Sequence, residues 1–282
     1  MSTRTDASVR GGSTMLGRIL ESTREEVAGR KLALPIERLE SQVRDMGRTV
    51  SAGERRLRGA LAAPAIGVIA EFKRRSPSAG TMRASPDLTG VVGAYRRGGA
   101  VALSILTEGP NFGGSLEDLR LARAGSDLPI LRKDFIVDPY QLHEALLVGA
   151  DAVLLIVAAL EDSELRSLQA LARTLGLDAL VEVHDSEELG RALDMGADLI
   201  GVNNRDLRDF SVDVTRTTRL MREMPSTVTV VSESGISTPE QLRELQQVGV
   251  HGVLVGESLM RSADPEAALG TLKQFRDVEG GL

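Results

Sequence analysis

The stretch Val68-Ile-Ala-Glu-Phe-Lys-Arg-Arg-Ser-Pro-Ser-Ala-Gly80 begins as one kind of structure and ends as another. Its first part is a short apolar run with β-branched residues, the pattern of a buried strand. It then becomes charged and closes on Ser-Pro-Ser-Ala-Gly, a loop signal. Glu71 and Lys73 lie two apart, so on a strand both project to one face. An acid and a base at the end of a buried strand, ahead of a mobile polar loop, is a common way to build a catalytic site. The bland alternative is a surface ion pair where a strand meets water. For this stretch alone the bland alternative leads, because such pairs are common. The balance shifts because the same pattern returns down the chain.

From Gly67 onward a short apolar strand is followed by a polar turn and a helical pattern, and the unit repeats. The strands are expected at Gly67–Phe72, Val101–Thr107, Pro129–Arg132, Ala152–Val157, Ala179–Val183, Leu199–Val202, Val228–Ser232 and Gly252–Val255. Helical patterns fill the gaps, at Asp87–Arg97, Leu116–Ala124, Tyr140–Leu147, Asp162–Thr174, Ser186–Asp194, Val214–Arg222 and Pro239–Gln247, with a last one after Pro265. Gly149, Gly196 and Gly249 follow helices, where a glycine supplies the left-handed cap. Alternating strand and helix implies a parallel sheet with its helices outside. Eight such units fit an α/β fold of the (β/α)8 TIM-barrel type, whose usual size is about 250 residues. An open doubly wound sheet is the second choice, but the Gly-rich turn it usually carries after its first strand is missing.

Upstream of the repeat, Met15 to Arg30 reads as a helix with Ser13 or Thr14 as its cap, and a shorter helix follows Pro35. The expected organisation is a disordered leader at 1–13 and a helical extension at 14–65 packed on the barrel. The catalytic barrel then spans 66–276, with a tail at 277–282. Of the 282 residues, 42% are hydrophobic and the net charge is -6, which argues against nucleic acid as the main partner. The absence of cysteine excludes a disulfide framework, a thiol nucleophile and zinc–thiolate sites. No metal and no cofactor is expected. No apolar run has the length of a membrane span, and the leader lacks the apolar centre of a signal peptide, so a cytoplasmic protein is expected.

Active sites of such barrels sit where the strands end. The first strand brings Glu71 and Lys73 there, the third Lys133, the fifth Glu182, and the sixth Asn203 and Arg205. The seventh adds Glu233, Ser234 and Gly235, and the eighth adds Gly256 and Glu257. Charged residues are rarely placed in parallel strands, which are covered on both faces. A layer of ion pairs closing the barrel explains each residue singly about as well as function does. It does not explain both lysines, the glycine turns and an apolar wall together. The turns at Ser234-Gly235 and Gly256-Glu257 can hold a phosphate through backbone N–H groups. The apolar fourth strand with Phe112 and Phe135 can wall a flat ring. His184 is set aside although it lies just past Glu182, and His143 and His251 are expected to be exposed.

These segments resemble the indole-3-glycerol phosphate synthase family of tryptophan biosynthesis. The likeness runs in order through Ile69–Ser78, Leu106–Glu108 with Phe112–Ser115, Leu131–Phe135, Val153–Ile156, Leu180–His184, Gly201–Leu207, Ser232–Ile236 and Leu254–Glu257. Arg75 and Ala79 depart from the usual pattern in the first loop. The resemblance implies that carboxyphenylamino-deoxyribulose phosphate, a small sugar phosphate, closes to an indole with loss of carbon dioxide and then water. It implies Lys133 as the proton donor at the ketone, Lys73 as an anion holder assisting dehydration, Glu182 as the base, and Glu71 as the group positioning the lysines. It further implies Asn203 on sugar hydroxyls and Arg205 on the anthranilate carboxylate. Ser76, Ser234, Gly235, Gly256 and Glu257 fall around phosphate or sugar, Glu233 is a further substrate-binding residue, and Phe112, Phe135 and Leu154 line the aromatic slot. No membrane or nucleic-acid partner is implied, and a monomer is expected with a weak homodimer as the alternative. The rival readings are a Schiff-base aldolase on the same barrel and a barrel that only binds phosphates or a partner.

Overall fold

A computed structural model describes residues 14–46, 55–83, 86–206 and 210–274. The leader at 1–13 and the tail at 277–282 lie outside them. The chain opens with α1 (Met15–Ala33), α2 (Ile36–Asp45) and α3 (Arg56–Ala60). Strand β1 (Gly67–Phe72) leads into the short β2 (Arg75–Ser76) and β3 (Gly80–Thr81), then α4 (Leu88–Arg97). The alternation continues through β4 (Ala102–Leu106), α5 (Leu116–Gly125), β5 (Ile130–Lys133), α6 (Pro139–Leu147) and β6 (Ala152–Ile156). A 3-10 turn at Val157–Ala159 precedes α7 (Asp162–Thr174), β7 (Asp178–Val183), α8 (Ser186–Asp194), β8 (Leu199–Asn203) and α9 (Thr215–Leu220). The last elements are β9 (Thr229–Glu233), α10 (Pro239–Gln247), β10 (Gly252–Val255), α11 (Glu257–Arg261) and α12 (Pro265–Lys273).

The eight long strands close into a parallel barrel in the order β1-β10-β9-β8-β7-β6-β5-β4. Because β1 pairs with both β4 and β10, the open sheet is excluded. Helix starts are fixed chemically: Thr14, Ser115, Asp185 and Thr238 each accept a backbone N–H from the first turn of their helix. Strand alternation sorts the aliphatic residues into two cores. Val68, Ala70 and Phe72 of β1 face the helices, whereas Ile69 joins Leu131, Leu154, Leu180, Leu199, Val231 and Leu254 inside the barrel.

The floor of the barrel is stopped by α3. Leu57 and Leu61 are fully buried within the inner core. Around them Arg55 pairs with Asp178 and with Asp198 at 2.8 Å, Arg56 with Asp151 at 2.8 Å, and Arg58 with Asp198 at 3.0 Å. Higher up the outer wall, α1 lies on α6 through Arg30–Glu144 at 2.7 Å and Lys31–Asp138 at 2.6 Å, over a small cluster of Val27, Leu39 and Tyr140. The loop expected after β1 carries the short antiparallel ladder of β2 and β3. Among the described residues, no helix is long and apolar enough to cross a membrane.

Candidate active site

In a (β/α)8 barrel each inner layer takes its four side chains from alternate strands, and bulky aliphatic residues usually fill it. Here β1, β5, β7 and β9 are alternate around the cylinder and contribute Glu71, Lys133, Glu182 and Glu233. The layer above the aliphatic core is therefore made of charged groups. Lys133 Nζ lies 3.3 Å from Glu182 Oε2 and 3.5 Å from Glu233 Oε2. Lys73 Nζ lies 2.5 Å from Glu71 Oε1, and Ser104 Oγ donates to Glu71 Oε2 at 3.4 Å.

This layer holds more carboxylates than ammonium groups, and its protonation follows from that. Burial works against the Lys133 charge, but Glu182, Glu233 and Glu71 together outweigh it and hold the ammonium protonated far above the ordinary lysine range. Burial pushes the Glu233 carboxyl up to about 8, because the pull of Lys133 does not offset burial plus the repulsion of Glu182 and Glu71. Burial acts on Glu182 in the same direction, yet Lys133, His184 and Asn203 hold it below the usual carboxylate value. The balance of neighbouring charges therefore favours the proton on Glu233 and the ionised form on Glu182.

Above the layer opens a cavity of about 420 Å³, and every residue expected at the site from the sequence lines it. Glu71, Lys73, Lys133, Glu182 and Glu233, with the Asn203 amide, form its polar floor. Phe112, Phe135 and Leu154 form an apolar wall, with the two rings 6.3 Å apart and tilted by 43°. Across from it stand Ser234, Gly235, Gly256 and Glu257, and the buried Ser76 and the part-exposed Arg205 complete the lining. Ser234 and Gly235 both have positive φ, 67° and 82°. A side chain at Gly235 would run into Val212 Cγ1 at 2.6 Å, so only glycine fits this turn. Arg205 donates to the Phe210 carbonyl at 3.1 Å, and its own N–H donates to Asn203 Oδ1 at 3.0 Å. Among the described residues, no group of three or more His, Asp or Glu is arranged to hold a metal ion.

The family model described as indole-3-glycerol phosphate synthase matches residues 16–272. The chain belongs to the indole-3-glycerol phosphate synthase family. A curated synthase of Kineococcus radiotolerans is 46% identical over 265 residues, covering 92% of this chain and 94% of that one. Its counterpart in Bacteroides thetaiotaomicron is 44% identical over 255 residues, covering 90% and 96%. Among solved structures, thiamine phosphate pyrophosphorylase from Pyrococcus furiosus superposes with a TM-score of 0.57 at 21% identity, over 77% of this chain and 96% of its own. That likeness is one of fold.

Several residues of this synthase-family site escape a reading of charged motifs. A Cβ on Gly201 would overlap Glu233 Oε1; likewise one on Gly256, which was expected at the site as a phosphate turn, would lie 2.6 Å from Glu71 Oε1. Each glycine makes the room for a carboxylate from the neighbouring strand, Gly201 from within β8 and Gly256 just past the end of β10; for Gly201 a glycine inside a strand was the available signal. Glu108 accepts the N–H groups of Asn111 and Phe112, each at 2.8 Å, and so folds the loop that presents Phe112. Asn204 ties Ser232, Ser234 and Thr217 together beneath the Ser234-Gly235 turn. The histidines need correction. His184, set aside earlier, reaches Glu182 Oε1 at 3.5 Å. His143 is buried because α2 covers its face of α6, bringing Glu40 to 3.8 Å, and His251 is half-buried with Nδ1 accepting the Val230 N–H at 3.1 Å.

Proposed function

We propose that the chain performs the reaction of its family, converting carboxyphenylamino-deoxyribulose phosphate to indole glycerol phosphate in tryptophan biosynthesis. The observation that carries the assignment of roles is the Lys133 ammonium held between Glu182 and Glu233 in the cavity that Phe112, Phe135 and Leu154 also line. The anthranilate ring lies along Phe112, Phe135 and Leu154, with its carboxylate near Arg205. The phosphate is held at the Ser234-Gly235 and Gly256-Glu257 turns, close to Ser76. This orientation sets the sugar ketone over Lys133.

As the ring carbon attacks the ketone, negative charge develops on the ketone oxygen. The protonated Lys133 stabilises it and delivers a proton. Carbon dioxide then leaves, which restores electrons to the ring. Lys73 assists departure of the hydroxyl group as water, and Glu71 holds Lys73 in place. Glu182, ionised, accepts the proton whose loss completes the indole. Asn203 steadies the sugar hydroxyls throughout. Each positioned acid or base is worth about 10² to 10⁴ in rate. The catalytic unit is taken as residues 66–276 with the extension at 14–65 docked on it; a monomer in the cytoplasm completes the proposal.

A Schiff-base reading suits Lys133 poorly, since a nucleophilic lysine needs a free amine and its neighbours favour the ammonium. The test is direct. Indole fluorescence appears on mixing the protein with substrate, and Lys133→Met reduces turnover by about 100-fold or more while binding persists. A covalent adduct trapped on Lys133 by borohydride, or near-normal turnover of Lys133→Met, refutes the assignment.

A further inference from the structure

Glu182 and Glu233 are chemically equal and nearly equidistant from Lys133, at 3.3 and 3.5 Å. Something must decide which of them is the ionised one, because an acceptor of the final proton has to be unprotonated. Their other partners differ. Among the described residues, Glu233 Oε1 is buried without a hydrogen-bond partner, as is Nε2 of His184. Glu182 Oε1 faces that same Nε2 at 3.5 Å, while its Oε2 faces Lys133.

The imidazole is itself fixed. His184 Nδ1 lies 3.0 Å from Glu188 Oε2 on α8, and the same oxygen accepts the His184 backbone N–H at 2.7 Å. A carboxylate can only accept here, so Nδ1 carries a proton and Nε2 is the edge turned to Glu182. A second proton on the ring then sits on Nε2, directed at the Glu182 carboxylate.

We propose that His184, clamped by Glu188, is a positioning residue that makes Glu182 rather than Glu233 the ionised carboxylate beside Lys133. The charged groups around the ring agree with this. Glu182 on β7 and Glu188 on α8 favour the imidazolium, and Arg216 on α9 and burial oppose it; burial is the largest single effect, yet the net shift is upward. Arg216 is engaged elsewhere, donating to the Asn203 carbonyl at 2.8 Å. Lys133 contacts the Glu182 oxygen away from the ring, so each oxygen of Glu182 has its own cationic neighbour. Among the described residues, Glu233 pairs with one, Lys133.

The proposal rests on Glu182 being the base, and its test separates the two. In His184→Asn the amide keeps a donor near Glu188 but loses the Nε2 edge. The acid limb of the kcat–pH profile is expected to move up by about 1 pH unit, the low end for losing a nearby opposite charge. On the acid side that lowers kcat about 10-fold. At high pH kcat recovers to within about 2-fold, and KM stays within about 2-fold across the range. Glu188→Gln moves the limb in the same direction by less. A loss uniform across pH, or a limb that stays put in both variants, overturns the proposal. Imidazole ¹⁵N titration provides a readout independent of turnover and of whether His184→Asn folds. With only 3 histidines in the chain the resonances are few. The native His184 ring is expected to titrate above its ordinary value, with Nδ1 protonated in the neutral form, and Glu182→Gln should bring it down. A ring that titrates alike in both proteins refutes the coupling, whereas full turnover by Glu182→Gln refutes only the assignment of the base.

Discussion

Replacing Glu233 by Gln removes the proton that the buried layer holds, and stability should report it. The carboxyl is pushed up to about 8 from an ordinary value of 4.5. Between those values the folded chain keeps a proton that the unfolded chain has released. The folded state therefore binds more protons in this window, so Glu233's contribution to stability is complete below about 4.5 and is lost as pH rises through about 8. At about 1.4 kcal/mol per unit the ceiling is about 5 kcal/mol, and readjustment of Lys133, Glu182 and Glu71 around the same proton brings it to roughly 2–4 kcal/mol. Gln cannot ionise and keeps the shape. The difference in unfolding free energy, variant minus native, should thus rise by up to about 1.4 kcal/mol per pH unit across the window and level off above it. Urea unfolding of the two proteins side by side, repeated from about pH 5 to about pH 9, measures it as a difference in which the other titrating groups largely cancel. A difference that is flat, or that falls as pH rises, would show that Glu233 is ionised like an ordinary surface carboxylate and would remove the charge balance argued for the layer.

Gly256→Ala places a methyl group 2.6 Å from Glu71 Oε1 and 3.0 Å from Glu71 Cβ, so Glu71 must leave Lys73; we expect turnover to fall by about 10-fold or more with a stability loss of about 1–3 kcal/mol. Steady-state kinetics on folded protein checks this, and unchanged kcat would mean that the Glu71–Lys73 pair is dispensable. Asp178→Ala strips Arg55 of its fully buried partner and the Leu57 and Arg58 N–H groups of their acceptor, so it should destabilise by about 3–5 kcal/mol in thermal or urea unfolding. A loss under about 1 kcal/mol would show that the Asp178 contacts do not hold α3 in place. Arg205→Lys should raise KM more than it lowers kcat, since a point charge replaces a planar fork in the cavity lining; the reverse split would move Arg205 into the chemistry.

The barrel was legible because its grammar is local. Each strand is a short apolar run, and glycines such as Gly149 and Gly196 mark the helix ends with positive φ. Glu71, Lys133, Glu182 and Glu233 were legible for the opposite reason, as charges placed where local grammar forbids them. What stayed hidden depends on neighbours distant in sequence. Nothing about Gly201 announces that Glu233 will lean over it, and nothing about Leu57 announces that it enters the inner core rather than covering an outer face. His184 looked idle since its meaning lies in two side chains, Glu182 and Glu188, that gain it only once β7 and α8 are set at their angle. His143 looked exposed because α2, which covers it, belongs to a segment with no strand grammar at all.

The stopper at the floor has a consequence for how the cylinder comes into being. Asp151 and Asp178 are delivered by the middle of the chain, and although Arg123 pairs with Asp151 locally, Arg55 and Arg56, which join them to the stopper, come from a segment made 95 to 123 residues earlier. During synthesis that segment waits, cationic, for anions not yet translated. Closing such long loops is entropically slow, so sealing of the base should be a late event and a natural checkpoint before the charged layer above is assembled. A circular permutant that emits the arginines last would invert this sequence of events while leaving every native contact in place.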